Sequence, residues 1–393
     1  MSDRKTQYNL VESSWGEDEI KVLHEVISSG CFTMGDRVAK FESSFAKKIG
    51  AKYALMTSSG STANLIGVAA LFFRKEKPLS RGDEVIVPSI SWATTYYPLQ
   101  QYGLKLKFVD VELDTLNIDV LQLENALTSK TRMVVAVNVL GNPCHLDLIR
   151  KFCDSHDLIL FEDNCESLGA ELRGKQCGTF GDFGTFSFFF SHHISTMEGG
   201  MLITDDEEIF HIAKSVRAHG WTRDIPDNKG IYEKNAEDFF EAYRFIFPGY
   251  NVRPLEMSGA VGLVQLKKVD EMLLVRRKNA EVFKELFASD DRFILQREIG
   301  KSSWFSFVVI LNPEKIDRKR VLTGLKNASI GFRIVTGGNF LRHDVINFFD
   351  YECVGNIKNA NFIHDNGFFV GNFPRDLSSE LNYFHKTLMR EVD

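Results

Sequence analysis

From about residue 50 to residue 220, short apolar runs alternate with amphipathic stretches. Each run is rich in β-branched and aromatic residues and is bounded by turn-forming residues, which is the pattern of a buried strand. Segments such as Leu148–Phe152 predict helices between the runs. Strands without a polar face need helices on both sides, so the pattern predicts an α/β fold with a large, mostly parallel sheet. The predicted strands are Lys52–Thr57, Glu84–Pro88, Leu106–Asp110, Met133–Asn138, Leu158–Glu162, Thr185–Phe190 and Gly200–Thr204.

The pattern changes in the last third of the chain. Gly259–Lys268 and Val275–Phe283 predict one long helix, of the kind that commonly joins two lobes. Beyond it, Trp304–Leu311 alternates like a strand. We therefore predict a large α/β domain over residues 15–262 and a small C-terminal α+β domain over residues 263–393, with residues 1–14 packing nearby.

Charge and composition narrow the class of protein. The 47 Lys+Arg and 53 Asp+Glu residues give a net charge of -6 without a basic cluster, so we expect no nucleic-acid partner. No window approaches the ~18 consecutive apolar residues of a membrane helix, and the polar start predicts no signal peptide. The six cysteines are scattered, which predicts reduced thiols, no metal site and a cytoplasmic location. The 33 phenylalanines are the one compositional excess and are expected to fill the core.

The segment Ser58–Thr62 stands where the first predicted strand gives way to a helix. Backbone N–H groups at a helix N-terminus attract phosphate, and Gly60 allows a ligand to approach closely. The spacing matches neither a dinucleotide loop nor a nucleoside-triphosphate loop. An ordinary N-cap is the alternative, because Ser and Thr favour that position with or without a ligand.

Two further candidates follow predicted strands. Ligand sites of α/β sheets lie at the carboxyl ends of strands, which is where Asp163 stands. A buried aspartate there can pair with a protonated ring nitrogen, and capping of a following helix is the alternative. Trp92 offers a flat face to a planar ring, or else belongs to the core.

His192 and His193 come between an apolar run and Glu198-Gly-Gly. A neutral imidazole can accept and return a proton near pH 7, so we expect one of the two to be functional. A metal site is not indicated, because adjacent side chains diverge and no Cys or carboxylate follows at ligand spacing.

Two glycine-containing segments, Arg217–Arg223 and Gly249–Arg253, place arginines beside aromatic residues. Arginine is the usual bidentate partner of carboxylates and phosphates, which makes these segments candidates for ligand contacts. A solvated basic face is the alternative.

Taken together, these segments resemble the fold-type I pyridoxal-phosphate (PLP) enzymes that modify sugars, the sugar aminotransferase/dehydrase family. The resemblance runs from about residue 15 to the C-terminus and implies an aspartate-aminotransferase-like fold. The family's cofactor lysine lies five residues after the serine of a Ser-Phe pair and six before the glutamate of Glu-Gly-Gly. Counted from Ser187 and from Glu198, both spacings lead to His192, and no lysine occurs between Lys175 and Lys214. A histidine here resembles the family's sugar 3-dehydratases.

The resemblance implies how the cofactor is bound. Asp163 would pair with the pyridine nitrogen, Trp92 would stack on the ring, and Glu166 would lie near the ring hydroxyl. The residues that would hold the phosphate are Gly60, Ser61, Ser187 and, from a neighbouring subunit, Asn251. His192 would be the general base. The candidates for substrate or glutamate contacts are His219, Arg223 and Arg253.

The implied activity is C3 dehydration of a 4-keto-6-deoxy nucleotide sugar in lipopolysaccharide or O-antigen sugar biosynthesis. It would use PLP and pyridoxamine phosphate (PMP) without a covalent link to the protein, and L-glutamate as cosubstrate. The alternative is a glutamate-dependent aminotransferase that places an amino group on a keto sugar, either a nucleotide sugar or an octulosonate. The resemblance also implies a homodimer or higher homo-oligomer with shared active sites.

Overall fold

The structure is a computed structural model that describes residues 7–223, 225–226, 230–288 and 290–392. Residues 1–6 of the N-terminal segment, predicted to pack near the small domain, lie outside the described residues.

Helices and strands alternate through the first half of the chain. The helices are α1 (Glu17–Ser29), α2 (Asp36–Ile49), α3 (Gly60–Phe73), α4 (Ala93–Gln101), α5 (Leu123–Ala126), α6 (Leu146–His156), α7 (Glu207–Arg217), α8 (Asp238–Glu241), α9 (Glu256–Leu286), α10 (Arg318–Asn327), α11 (Lys358–Asn366) and α12 (Ser378–Val392). The strands are β1 (Tyr53–Thr57), β2 (Glu84–Pro88), β3 (Lys105–Val109), β4 (Thr131–Val137), β5 (Ile159–Asp163), β6 (Glu171–Leu172), β7 (Lys175–Gln176), β8 (Phe183–Ser187), β9 (Gly200–Thr204), β10 (Phe293–Leu295), β11 (Ser306–Leu311), β12 (Phe332–Arg333), β13 (Tyr351–Cys353) and β14 (Gly367–Gly371).

The predicted large sheet is confirmed. Its eight strands run in the order β1-β9-β8-β5-β4-β2-β3-β13. The neighbours from β8 to β13 are parallel, whereas β9 is antiparallel to both β1 and β8. The carboxyl ends of β2, β4, β5 and β8 therefore meet at one edge, where a ligand site is expected.

The strand predicted over Thr185–Phe190 is wrong at both ends, since β8 covers Phe183–Ser187. The chain turns after Ser187, because the Phe189 N–H donates to Ser187 Oγ at 3.3 Å and the His192 N–H donates to the Phe189 carbonyl at 2.9 Å. Phe188 still packs in the core, but Phe189 and Phe190 are exposed. This turn places His192 directly beyond the carboxyl end of β8.

The long helix α9 joins two layers of the molecule. Its first half packs so closely on α2 that a Cβ at Gly259 would lie 2.7 Å from the Val38 backbone. Its second half contributes Phe283 to the core of a four-stranded antiparallel sheet, β10-β11-β14-β12, against which Tyr8 also packs. The strand β13, beyond residue 263, nevertheless pairs with β3 of the large sheet. The domain boundaries given above stay a prediction.

Most of the large, fully buried side chains are phenylalanines, as expected for core residues. Phe239 and Phe348 are exceptions, being 89% and 81% exposed. Among the described residues, we find no helix with both the length and the apolar composition to span a bilayer.

Candidate active site

A cavity of about 390 Å³ opens between the carboxyl-end edge of the large sheet and the four-stranded sheet. Its walls come from residues that end or follow β1, β2, β5 and β8, and from residues on or next to α9, β11 and β12. The predicted residues that line it are Gly60, Ser61, Trp92, Asp163, Glu166, Ser187 and His192.

The first turn of α3 forms one wall of the cavity. Ser59 is its N-cap, since Ser59 Oγ accepts from the Thr62 N–H at 3.2 Å, as the alternative interpretation expected. Gly60 and Ser61 follow it, and their N–H groups precede the first helical hydrogen bond. A Cβ at Gly60 would lie 2.7 Å from Ser187 Cβ and 2.8 Å from Cys165 Sγ, so only glycine keeps this approach open. The capped turn therefore also presents backbone N–H groups of the kind that bind anions.

Asp163 ends β5 and is 5% exposed. Its Oδ2 accepts from Asn64 Nδ2 at 3.0 Å and from Thr95 Oγ1 at 2.7 Å, while Oδ1 accepts from the Cys165 N–H at 3.1 Å. No helix follows β5 directly, so the alternative of a helix cap is wrong. Three neutral donors fix the carboxylate and leave it able to accept one more hydrogen, for example from a ring N–H.

Glu166 lies on the turn after β5 and accepts the Leu140 N–H at 3.0 Å on Oε2. Burial, reinforced by the Asp163 carboxylate, raises the pKa of Glu166 to about 7. The side chain can therefore hold or release a proton close to neutral pH. Leu140 itself has φ +52°, in the left-handed region, which is unusual for a branched side chain.

Trp92 is the N-cap residue of α4 and is 59% exposed. It lines the cavity, and its indole ring is not fully covered by core residues. The alternative that Trp92 belongs to the core is wrong, and a planar ligand ring can stack on it.

The two histidines have different environments. His192 lines the cavity, with its ring between the edges of Phe189 and Phe305 at centroid distances of 6.1 and 5.1 Å. Burial, with a contribution from the Arg276 guanidinium, lowers the pKa of His192 to about 3, so the imidazole is uncharged at neutral pH. His193 is 1% exposed and does not line the cavity; its Nε2 lies 3.1 Å from the Ser303 carbonyl oxygen.

Several cavity residues were not predicted. Thr95 lines the cavity and, together with Asn64 behind it, donates a hydrogen bond to Asp163. Thr95 follows β2 closely enough that its position was a usable signal. Arg276 and Phe305 carry no such local signal. Arg276 stands in the middle of α9, and only the packing of the two sheets brings it to the cavity.

The remaining predicted residues, Asn251, His219, Arg223 and Arg253, are exposed and do not line the cavity of their own chain. They lie on two neighbouring segments, since the His219 N–H donates to the Tyr250 carbonyl at 2.7 Å. Arg253 Nε donates to Asn251 Oδ1 at 3.0 Å. Their roles stay predictions.

Comparison with known proteins decides the family. The model described as the DegT/DnrJ/EryC1/StrS aminotransferase family matches residues 13–375. The chain belongs to this family.

Among members of the DegT/DnrJ/EryC1/StrS family, the chain is 50% identical to GDP-4-keto-6-deoxy-D-mannose 3-dehydratase of Yersinia pseudotuberculosis, over 98% of this chain and 100% of the relative. It superposes with a TM-score of 0.95 on a crystal structure of GDP-4-keto-6-deoxymannose-3-dehydratase with a trapped PLP-glutamate geminal diamine, at 50% identity over 97% of this chain and 100% of that one. An aminotransferase of pseudoaminic acid biosynthesis from Helicobacter pylori is 23% identical with a TM-score of 0.86, over 99% of each chain, which shows the shared fold.

The cavity can be tested against a phosphorylated pyridine aldehyde of the PLP type. A side chain at position 60 would fill the space beside Ser187 that glycine leaves open. The N-terminus of α3 offers N–H groups to a phosphate, and Asp163 offers a free acceptor to a ring N–H. Trp92 supplies a face for the ring. The residues therefore fit the group. Within the described part of the chain, no lysine lines the cavity and no side-chain cluster could hold a metal ion.

Proposed function

We propose that this chain is a PLP- and glutamate-dependent 3-dehydratase of a 4-keto-6-deoxy nucleotide sugar, with the GDP-linked 6-deoxymannose derivative as the first substrate to test. The pathway would be O-antigen or lipopolysaccharide sugar biosynthesis. The single observation that carries the proposal is the neutral imidazole of His192 in the cavity, at the position that the spacing from Ser187 and Glu198 assigns to the family's lysine. The 50% identity to 3-dehydratases over nearly the whole chain supports it.

The residues around the cavity have distinct tasks. PLP, when bound, supplies an aldehyde that takes up an amino group and a ring that withdraws electrons from the neighbouring carbon. The N–H groups of Gly60 and Ser61, with the Ser187 hydroxyl, would bind the phosphate. Asp163 would hold the proton on the ring nitrogen, and Trp92 would orient the ring plane.

His192 moves the protons. As a neutral imidazole it would take the proton from the α-carbon of glutamate and pass it to the exocyclic carbon of the cofactor, which leaves the imidazole neutral again. In the sugar reaction it would take a proton back from that carbon, and the C3 hydroxyl would leave with a proton as water. The rings of Phe189 and Phe305 flank the imidazole. An imidazole exchanges protons but, unlike a primary amine, does not capture an aldehyde stably, so the cofactor stays free to carry nitrogen.

The other candidate is an aminotransferase, which shares the glutamate half-reaction and the fold. The two are separated by supplying ¹⁵N-glutamate, PLP and the GDP-linked 4-keto-6-deoxy sugar to the purified protein. The proposal predicts ¹⁵N-ammonia and a sugar without its C3 hydroxyl, and His192→Asn should bind cofactor without turnover. Retention of ¹⁵N in a sugar that keeps its C3 hydroxyl would establish the aminotransferase instead.

We further propose that the protein acts in the cytoplasm as a homodimer that completes each cavity with the partner's copies of His219, Arg223, Asn251 and Arg253, the exposed residues of segments 217–223 and 249–253. The exposure of Asn251 and Arg253, away from the cavity of their own chain, supports such sharing. The six unpaired cysteines favour a reducing compartment.

A further inference from the structure

The second histidine of the pair is buried and stands outside the chemistry described so far. His193 Nε2 lies 3.1 Å from the Ser303 carbonyl oxygen, and a carbonyl can only accept a hydrogen bond. The hydrogen must therefore be on Nε2. Nδ1 has no hydrogen-bond partner in the described structure.

The segment that receives this hydrogen bond also contacts His192. The Phe305 ring lies edge-on to the His192 ring at 5.1 Å and tilted against the His193 ring at 5.6 Å. Arg276 Nη1 donates to the Phe305 carbonyl at 3.2 Å, which fixes the backbone that carries this ring. One short segment, Ser303–Phe305, thus touches both imidazoles.

The same segment is fastened to the turn beside Glu166. The Ser303 N–H donates to the Gly141 carbonyl at 2.9 Å, and the Phe305 N–H donates to the Leu140 carbonyl at 3.0 Å. Gly141 has φ +92°, and a Cβ there would lie 2.7 Å from the Trp304 nitrogen, so this approach requires glycine. Because the Leu140 N–H also binds Glu166, the segment fixes two sides of the cavity at once.

We propose that His193 is a positioning residue, which as a neutral Nε2–H imidazole ties the turn carrying His192 to the Ser303–Phe305 segment. The inference deepens the proposed function, on which it rests, because the reaction needs the His192 ring held at a fixed distance from the reacting carbon. Misplacing a reacting group by 1 Å costs about a hundredfold in rate.

The charges around His193 keep it neutral. The charged or titratable groups that act on it are Arg276, Arg277 and His192, of which two are cations. A protonated His193 would place another buried positive charge among them, and burial with Arg276 lowers the pKa of His193 well below its usual value. His193 therefore neither titrates near neutral pH nor substitutes for His192 as base.

The test compares His193→Gln, whose side-chain NH₂ can replace the Nε2–H donor, with His193→Leu, which cannot donate. His385→Gln is the matched control, because His385 also packs edge-on against a phenylalanine ring, Phe287, but lies away from the cavity. Two measurements are made on full-length protein. One is the single-turnover rate at which the bound cofactor reacts with glutamate. The other is the ¹⁵N NMR spectrum of histidine-labelled protein before cofactor is added, in which the His193 signals are those that disappear in His193→Gln.

We expect His193→Leu to lower the maximal rate about a hundredfold with cofactor and glutamate affinities nearly unchanged, and His193→Gln to recover most of the loss. The wild-type His193 signals should show a protonated Nε2 and no titration between about pH 5 and 8. Retained turnover in His193→Leu, equal loss in both variants, or a titrating His193 signal would overturn the proposal. The NMR result requires neither sugar nor turnover, so it stands apart from failure of the proposed function.

Discussion

The side chain of Glu166 couples the site to pH. Its pKa of about 7 in the folded chain lies above the ordinary glutamate value of about 4.3, so the folded state binds the proton more tightly than the unfolded state. The protonated Glu166 side chain therefore contributes fully to the free energy of unfolding below about pH 4.3, and this contribution is lost as the pH rises toward 7. Glu162, buried with a pKa also near 7, acts in the same direction.

Glu166→Gln keeps an acceptor for the Leu140 N–H but cannot titrate. We therefore expect the free energy of unfolding of the cofactor-free protein to fall less steeply between about pH 5 and 7 than in the wild type. Urea unfolding across that range measures it. Parallel curves for the two proteins would mean that Glu166 is already ionised in the folded chain.

At the residue scale, position after a predicted strand made Asp163 and Trp92 candidates from the sequence. Ser187 came only from the family resemblance, because the strand predicted through Phe190 hid the fact that β8 ends there. His192 was reached differently, by its spacing from Ser187 and Glu198 in the family pattern. Arg276 and Phe305 were missed because their place at the cavity depends on how α9 and β11 pack, which no local pattern records.

At the scale of elements, α2 begins without a side chain of its own that can cap it, because its N-cap is Gly35. Glu256, the first residue of α9, fills that role from elsewhere in the chain. Its carboxylate accepts from the N–H groups of Gly35 at 2.7 Å, Arg37 at 2.6 Å and Val38 at 3.3 Å.

Glu256→Ala should therefore destabilise the protein by about 1–3 kcal/mol, since buried N–H groups lose a charged acceptor. Glu271→Ala, at an exposed position of the same helix, is the control and should change stability by less than about 0.5 kcal/mol. Urea unfolding of the two variants and the wild type measures both. An equal effect of the two substitutions would show that the cap contributes nothing.

Most helices and strands were predictable because the spacing of apolar residues along the sequence indicates which side chains are buried. Glu84–Pro88 and Gly200–Thr204 have the bounds that their apolar runs predict. The run through Phe190 was misleading because Phe189 and Phe190 are apolar without being strand residues. They belong to the turn that leads from β8 to His192. An apolar run cannot distinguish a strand residue from one that lines a cavity.

At the scale of the whole molecule, the proposed sharing of sites between subunits has a direct consequence. His192→Asn and Asn251→Ala should each inactivate the homodimer, the first through the base and the second through the partner's phosphate contact. After subunit exchange, mixed dimers have one cavity with both residues intact.

When equal amounts of the two variants exchange subunits, about half of the dimers contain one subunit of each. Each mixed dimer has one intact cavity out of two, so activity should return to about a quarter of wild type. Turnover measured before and after exchange tests this. Persistent inactivity, despite mixed dimers seen by native mass spectrometry, would place both residues in the same cavity. The sequence alone does not reveal this arrangement, because a residue that acts in another subunit appears as an exposed one.

The central claim is that His192 replaces the cofactor lysine, and borohydride reduction followed by mass spectrometry tests it most directly. The protein is incubated with PLP, reduced with borohydride and unfolded, and the mass of the chain is then measured. His192→Lys is the positive control. We predict that the wild-type chain keeps its unmodified mass, while the variant gains a reduced pyridoxyl phosphate on residue 192. A pyridoxyl group fixed in stoichiometric yield to a lysine of the wild-type chain would contradict the account.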